Sequence, residues 1–245
     1  MPNIVHKLLI LLFFFGCYQT ATAGPYEDAN AALMRGDGSG ALRIMVPLAV
    51  RGQGEAQFVV GMLYLQGNGV LQDVDQAVNW LSKAGETGHI RAQMTLAGLF
   101  LDPNSPKRDN EAGIGWYRKA AEAGDALAQT ILGQYYRQGF VLSQDFATSA
   151  AWFRLAARQF EPRAQFELGE LYRNGFGVKQ DLARAHMWFN ISANTLTNND
   201  NYRVSAARDS AAARQIVGSL LRPDEIAAAE QMATECWQRD LKDCD

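Results

Sequence analysis

The sequence predicts an all-α fold: a right-handed α-solenoid of helix-turn-helix repeats with a 36-residue period. Three observations carry this. Ala-Gln pairs recur in step, with no insertion, at Ala56-Gln57, Ala92-Gln93, Ala128-Gln129 and Ala164-Gln165. Trp80, Trp116, Trp152 and Trp188 keep that register, as do Asp73, Asp109, Asp145 and Asp181. A small-residue column (Gly61, Ala97, Gly133, Gly169), an aromatic column (Tyr64, Phe100, Tyr136, Tyr172) and a third of Ala84, Ala120, Ala156 and Ser192 run beside them. Self-similarity at a fixed period marks stacked units, each too small to bury its apolar face alone.

The N-terminus comes first. His6 and Lys7 precede the apolar run Leu8–Phe15, and Ala21-Thr22-Ala23 fits the A-x-A cleavage pattern. Residues 1–23 therefore read as a secretory signal peptide cut after Ala23, whose apolar run is far too short to span a bilayer. A second processing route is also open: Gly16-Cys17 resembles the box before a lipidated cysteine, with Phe14 where leucine is usual.

Residues 24–54 read as a degenerate N-terminal half-repeat or cap, because one period before Asp73, Ala77 and Gly88 lie Asp37, Ala41 and Gly52. Four units follow, 55–90, 91–126, 127–162 and 163–194. In each, an apolar-periodic helix ends at a turn. An aspartate suited to capping opens the second helix, and a glycine often closes it. The small column lets the two helices approach closely.

The stretch 172–181, "YRNGFGVKQD", looks at first like a phosphate-cradling loop. It recurs as "YLQGNGVLQD" at 64–73, where Leu71 replaces Lys179, and it completes no G-x-G-x-x-G after a strand. The glycines read as a tight turn between helices. Two units depart from it. Residues 101–110 carry Pro103 and Pro106, and the third unit has Gln138-Gly139-Phe140-Val141 with one glycine of the two.

Ala164, Leu168, Gly169, Tyr172, Gly175, Gly177, Val178, Asp181, Ala185, Trp188 and Ala193 together resemble the Sel-1-like repeat, a relative of the tetratricopeptide repeat. The resemblance covers about residues 37–194. It implies an α-solenoid whose first helices line the concave face, and adaptor roles in envelope assembly, signalling or host contact.

Residues 195–245 read as capping helices and a tail: a polar break at 195–202, an alanine-rich helix at 203–221, and a helix at 222–237 with Pro223 in its first turn. Paired helices often close such arrays. Cys236 and Cys244 remain as an even pair in an exported chain, which suggests a disulfide. Along one helix their Cα atoms would stand about 12 Å apart, so a bridge needs the tail after Trp237 to fold back; otherwise they are two thiols.

Composition narrows the function. The net charge of −3 leaves no basic footprint for nucleic acid. His6, His89 and His186 are scattered, so no metal site assembles from them, and no cofactor is expected. No G-x-S-x-G, S-x-x-K or H-E-x-x-H occurs. The phased aspartates have a capping role, and the sequon at Asn190–Ser192 falls within a helix. Cysteine-rich relatives have been labelled penicillin-binding, but this chain has no cysteine pairs in its repeats.

The expectation is a non-enzymatic interaction scaffold or adaptor of the bacterial envelope. It would be exported and most simply periplasmic, with a secreted form as an alternative, and its partner is a protein or peptide. Positions that vary between units would read that partner: Val59, Met62 and Gln66; Thr95, Gly98 and Asp102; Ile131, Gln134 and Gln138; Glu167, Glu170 and Asn174. The stripe runs from apolar to acidic and would form a peptide groove, or else a solvated face. Rival readings are a cell-wall hydrolase or penicillin-interacting enzyme, and a scaffold anchored through Cys17.

Overall fold

A computed structural model describes residues 24–195, 201–242 and 244, with the side chains of 201–203 excepted. The expected leader, residues 1–23, and its Cys17 lie outside the described residues. Twelve helices form the array: α1 (Pro25–Met34), α2 (Gly38–Val50), α3 (Gly54–Gln66), α4 (Val74–Glu86), α5 (Ile90–Leu101), α6 (Asn110–Glu122), α7 (Ala126–Gln138), α8 (Phe146–Ala157), α9 (Pro162–Asn174), α10 (Leu182–Asn194), α11 (Asn201–Gly218) and α12 (Pro223–Gln238). Among the described residues there is no strand. From α1 to α11 consecutive helices pack on one another, so the chain is an α-solenoid.

The aspartate column builds the second helix of each unit. Asp73, Asp109, Asp145 and Asp181 accept from backbone N–H groups at Gln76, Ala112, Thr148 and Arg184, at 2.9–3.0 Å. Each satisfies a donor that a helix start leaves unpaired. The same residues give their own N–H to the carbonyl of the column aromatic nine positions back, Tyr64, Phe100, Tyr136 or Tyr172. One residue thus closes the turn and opens the helix.

The small column sets the spacing within a unit. A Cβ at Gly61 would lie 2.7 Å from Leu81 Cγ, and at Gly133 or Gly169 it would lie 2.6 Å from the ring of Phe153 or Phe189. The glutamine of each Ala-Gln pair sets the spacing between units. Gln57, Gln93, Gln129 and Gln165 are buried, and their Nε2 groups donate to the carbonyls of Ala49, Gly85, Ala121 and Ala157 at 2.8–3.2 Å. Those carbonyls end the preceding second helix, where no intrahelical partner exists.

The N-terminal segment is a whole hairpin and not the half-repeat that the period suggests. α1 and α2 both form, and Ala29 and Ala32 of α1 are buried against α2 and α3. The connection from α1 to α2 spans residues 35–37, whereas that from α3 to α4 spans 67–73. This shorter turn removes four residues, so the 36-residue step loses register before Asp37.

At the other end α11 packs on α9 and α10, and α12 on α10. Ser192, where three units have alanine, explains itself here. Its Oγ donates to the Pro162 carbonyl at 2.8 Å and accepts from Ser210 Oγ of α11 at 2.7 Å. After α12, Asp240 and Leu241 take left-handed φ values of 51° and 57° and turn the chain back. Leu241 is fully buried, and Cys236 and Cys244 are bonded with their Cα atoms 5.2 Å apart.

Candidate functional site

The variable positions of α3, α5, α7 and α9 divide into three rows with different surroundings. Gln66, Asp102, Gln138 and Asn174 are all exposed near the helix ends. Asp102 accepts from the Asn104 N–H at 2.9 Å, and Asn174 Nδ2 donates to the Glu170 carbonyl at 2.7 Å. Gly98 is exposed, and Met62, Gln134 and Glu170 are half-buried. Met62 joins the cluster of Leu81 and Leu96, so some of this row packs between units.

The row of Val59, Thr95, Ile131 and Glu167 is not an open face. Val59 lines a cleft of about 440 Å³ with Tyr26 and Leu33 of α1 and Met45 of α2. Thr95 Oγ1 donates to the Arg91 carbonyl at 2.7 Å, and Ile131 is half-buried. Glu167 is 1% exposed. Its carboxylate lies 2.9 Å from Arg163 Nη2 and 3.3 Å from Arg137 Nε. A carboxylate leaves water only when paired in this way, so Glu167 is a structural ion and its charge does not line a groove. The apolar-to-acidic gradient thus breaks at its acidic end.

Two charge clusters edge this surface. In the first, Glu55 takes His89 Nε2 at 2.8 Å and the Arg91 guanidinium, while the His89 ring stacks on Phe58, centroids 4.8 Å apart. Because His89 Nδ1 accepts from the Ala92 N–H, Nε2 carries the proton that Glu55 receives. Burial works to raise the Glu55 carboxyl, but hydrogen bonds from Arg91 and His89 outweigh it and hold it below the ordinary range. In the second, burial and then the neighbouring Glu167 charge push Glu170 up, against Arg173 at 2.6 Å.

His186 is buried between α10 and the C-terminal helices, and burial together with Arg214 pushes its pKa down, favouring a neutral packing residue. The sequon is spent on structure: Asn190 Oδ1 accepts from Arg214 at 2.6 Å, and Ser192 is buried. Among the described residues no three His, Cys, Asp or Glu side chains are placed to hold a metal. Likewise, no described helix is long and apolar enough to cross a membrane.

Four successive matches to the Sel1 repeat cover residues 54–89, 91–125, 126–159 and 162–194. The chain belongs to the Sel1 repeat family. Two solved Sel1-type structures lie near it. One is c5321, a protective antigen present in uropathogenic Escherichia coli strains displaying an SLR fold. It is 28% identical with a TM-score of 0.65, over 84% of this chain and 42% of that one. The other is a Sel1 repeat protein from Oxalobacter formigenes, 26% identical with a TM-score of 0.63, over 87% and 88% of the two chains. This Sel1 chain therefore spans under half the length of c5321. No curated protein matches it. Sel1 repeats are a non-catalytic scaffold fold, and proteins built from them generally mediate protein–protein interaction.

Proposed function

We propose that this Sel1 protein is a non-enzymatic adaptor of the bacterial envelope that holds a partner peptide or protein along its first helices. One observation carries the reading: Gln66, Asp102, Gln138 and Asn174 hold the same place in successive units, are all exposed, and line up as a polar row of three carboxamides and one carboxylate. The phased columns are spent on caps, seams and close helix packing, which leaves this exposed polar row free to meet a partner. The Cys236–Cys244 bond supports an exported, periplasmic setting, since such bonds persist in oxidising compartments.

The test is photo-crosslinking in the native cell, with a photoreactive residue at Gln138 or Asn174 and, as a control, at exposed Glu122 on a second helix. Capture of one discrete protein from the row positions alone supports the adaptor. Equal labelling from both faces, or none, sinks it. Mass measurement of the mature N-terminus tests export; a chain still beginning at Met1 would remove that element of the proposal.

A further inference from the structure

We infer that the cleft between α8 and the α9–α10 turn is a binding site for a phosphate group. It uses residues outside the polar row, so its failure would leave the adaptor reading intact.

The starting point is a lysine that breaks the repeat. Lys179 sits in the turn where the first unit has Leu71, the second Lys107 and the third Ser143. Two arginines depart from the pattern around the same turn. One, two and three periods before Arg154 stand Arg118, Ser82 and Val46; before Arg184 they are Thr148, Ala112 and Gln76. These three positions hold no cation in the first unit, one in the second, one in the third and three in the fourth.

The three cations line one cleft of about 470 Å³, together with Tyr172 and Asp181. Local structure fixes them there. A Cβ at Gly177 would lie 2.2 Å from the Phe146 carbonyl carbon, so the turn that carries Lys179 is seated on the start of α8, the helix that carries Arg154. Tyr172 is buried, and the guanidinium carbons of Arg154 and Arg184 each stand 5.9 Å from its ring centroid. Both lie within cation–π reach of that ring. The Tyr172 hydroxyl accepts from Arg154 Nη2 at 3.1 Å. Asp181 Oδ2 takes Arg184 Nη1 at 3.0 Å, while its Oδ1 caps α10.

Charge and geometry then specify the ligand. The charged side chains along the cleft are three cations and one carboxylate, and that carboxylate already serves the helix start. Two guanidinium groups gathered on one ring repel each other, and an anion between them relieves the repulsion. Each guanidinium presents N–H donors in a planar fork that matches the oxygens of a phosphate. The surplus of two positive charges suits a phosphomonoester dianion better than a carboxylate, which carries a single charge.

The test titrates glycerol 3-phosphate into the folded full chain and follows backbone amide shifts, with acetate as control. Ionic strength is held constant, at pH 8, where the phosphate is a dianion. Saturable shifts are expected at Gly177, Val178 and Lys179, and none at Val141 and Leu142 in the equivalent cleft of the third unit. Lys179→Leu, which copies Leu71, and Arg184→Gln should each weaken the phosphate by about tenfold with the thermal midpoint kept. Vesicles of phosphatidylcholine, with or without phosphatidic acid, separate the sources. Co-sedimentation only where phosphatidic acid is present assigns the phosphate to a lipid headgroup. Shifts with glycerol 3-phosphate and no vesicle binding assign it to a soluble ligand. Absence of binding to both phosphate forms, equal shifts from acetate, equal shifts in the third unit, or unchanged affinity in both variants would overturn the inference.

Discussion

Glu167 of α9 is enclosed by Arg137 of the preceding unit, with Oε2 3.3 Å from the guanidinium Nε, while Arg163 holds its other oxygen at 2.9 Å. The pair joins two units at a point where one carboxylate is almost wholly removed from water. Glu167→Gln should cost about 2 kcal/mol. That is below the ~3–5 kcal/mol of a fully enclosed pair, because both arginines keep some of their surface in solvent. A urea titration measures it, and an unshifted midpoint would show the ion pair to be idle.

The glutamine seam gives a second prediction. Gln93→Ala leaves the Gly85 carbonyl at the end of α4 without its side-chain donor. The Gly88 N–H still satisfies that carbonyl at 3.1 Å, so the loss is that of one buried hydrogen bond, about 0.5–1.5 kcal/mol. Amide exchange near the end of α4 and the start of α5 should speed up more than elsewhere. A uniform change across the chain would argue against a local seam.

Glycines of the array should respond in opposite directions. Gly133→Ala drives a methyl to 2.6 Å from the Phe153 ring and should destabilise by about 1–3 kcal/mol. At Gly98 there is open space and ordinary helical backbone, so Gly98→Ala should stabilise by about 0.5–1 kcal/mol. Thermal midpoints that move the same way would contradict the close-packing role of the small column.

The bridged tail predicts a redox effect. Reducing Cys236–Cys244 frees the turn that buries Leu241, and should lower stability by about 2 kcal/mol. Cys244→Ala should reproduce the loss and make the protein indifferent to reductant. A reductant effect that persists in Cys244→Ala would place its cause elsewhere.

Two carboxylates should give opposite pH slopes. The folded-state value of Glu170 is raised above the ordinary 4.5 by burial. Its contribution is therefore present below that value and is lost as pH rises through the folded one. Glu55 is lowered, so its contribution is present above 4.5 and is lost as pH falls through its folded value. Relative to Glu170→Gln, the wild type should weaken from acidic to neutral pH; relative to Glu55→Gln, it should strengthen. Urea midpoints across that range decide, and parallel slopes would refute both assignments.

The sequence made the repeat units legible because each depends on local chemistry at fixed steps: an aspartate that caps, a glycine that admits a ring, an aromatic that fills. The same step failed at α1, where a turn four residues shorter shifts the register without weakening the hairpin. The burial of Glu167 was not legible, since a glutamate on a helix reads alike whether it meets water or two arginines. That depends on Arg137 of the previous unit, which no pattern within one unit reveals. Ser192 was visible as a departure, but its effect, a link to α11, needed the neighbouring element in place.

The buried glutamine bonds all run in one direction, each unit clasping the one before it. Under tension along the axis such a molecule has equivalent weak planes at regular intervals. These planes would open singly and in succession, each released unit yielding a chain of about 120 Å. An array of this kind can lengthen in steps under load while the remaining units stay folded.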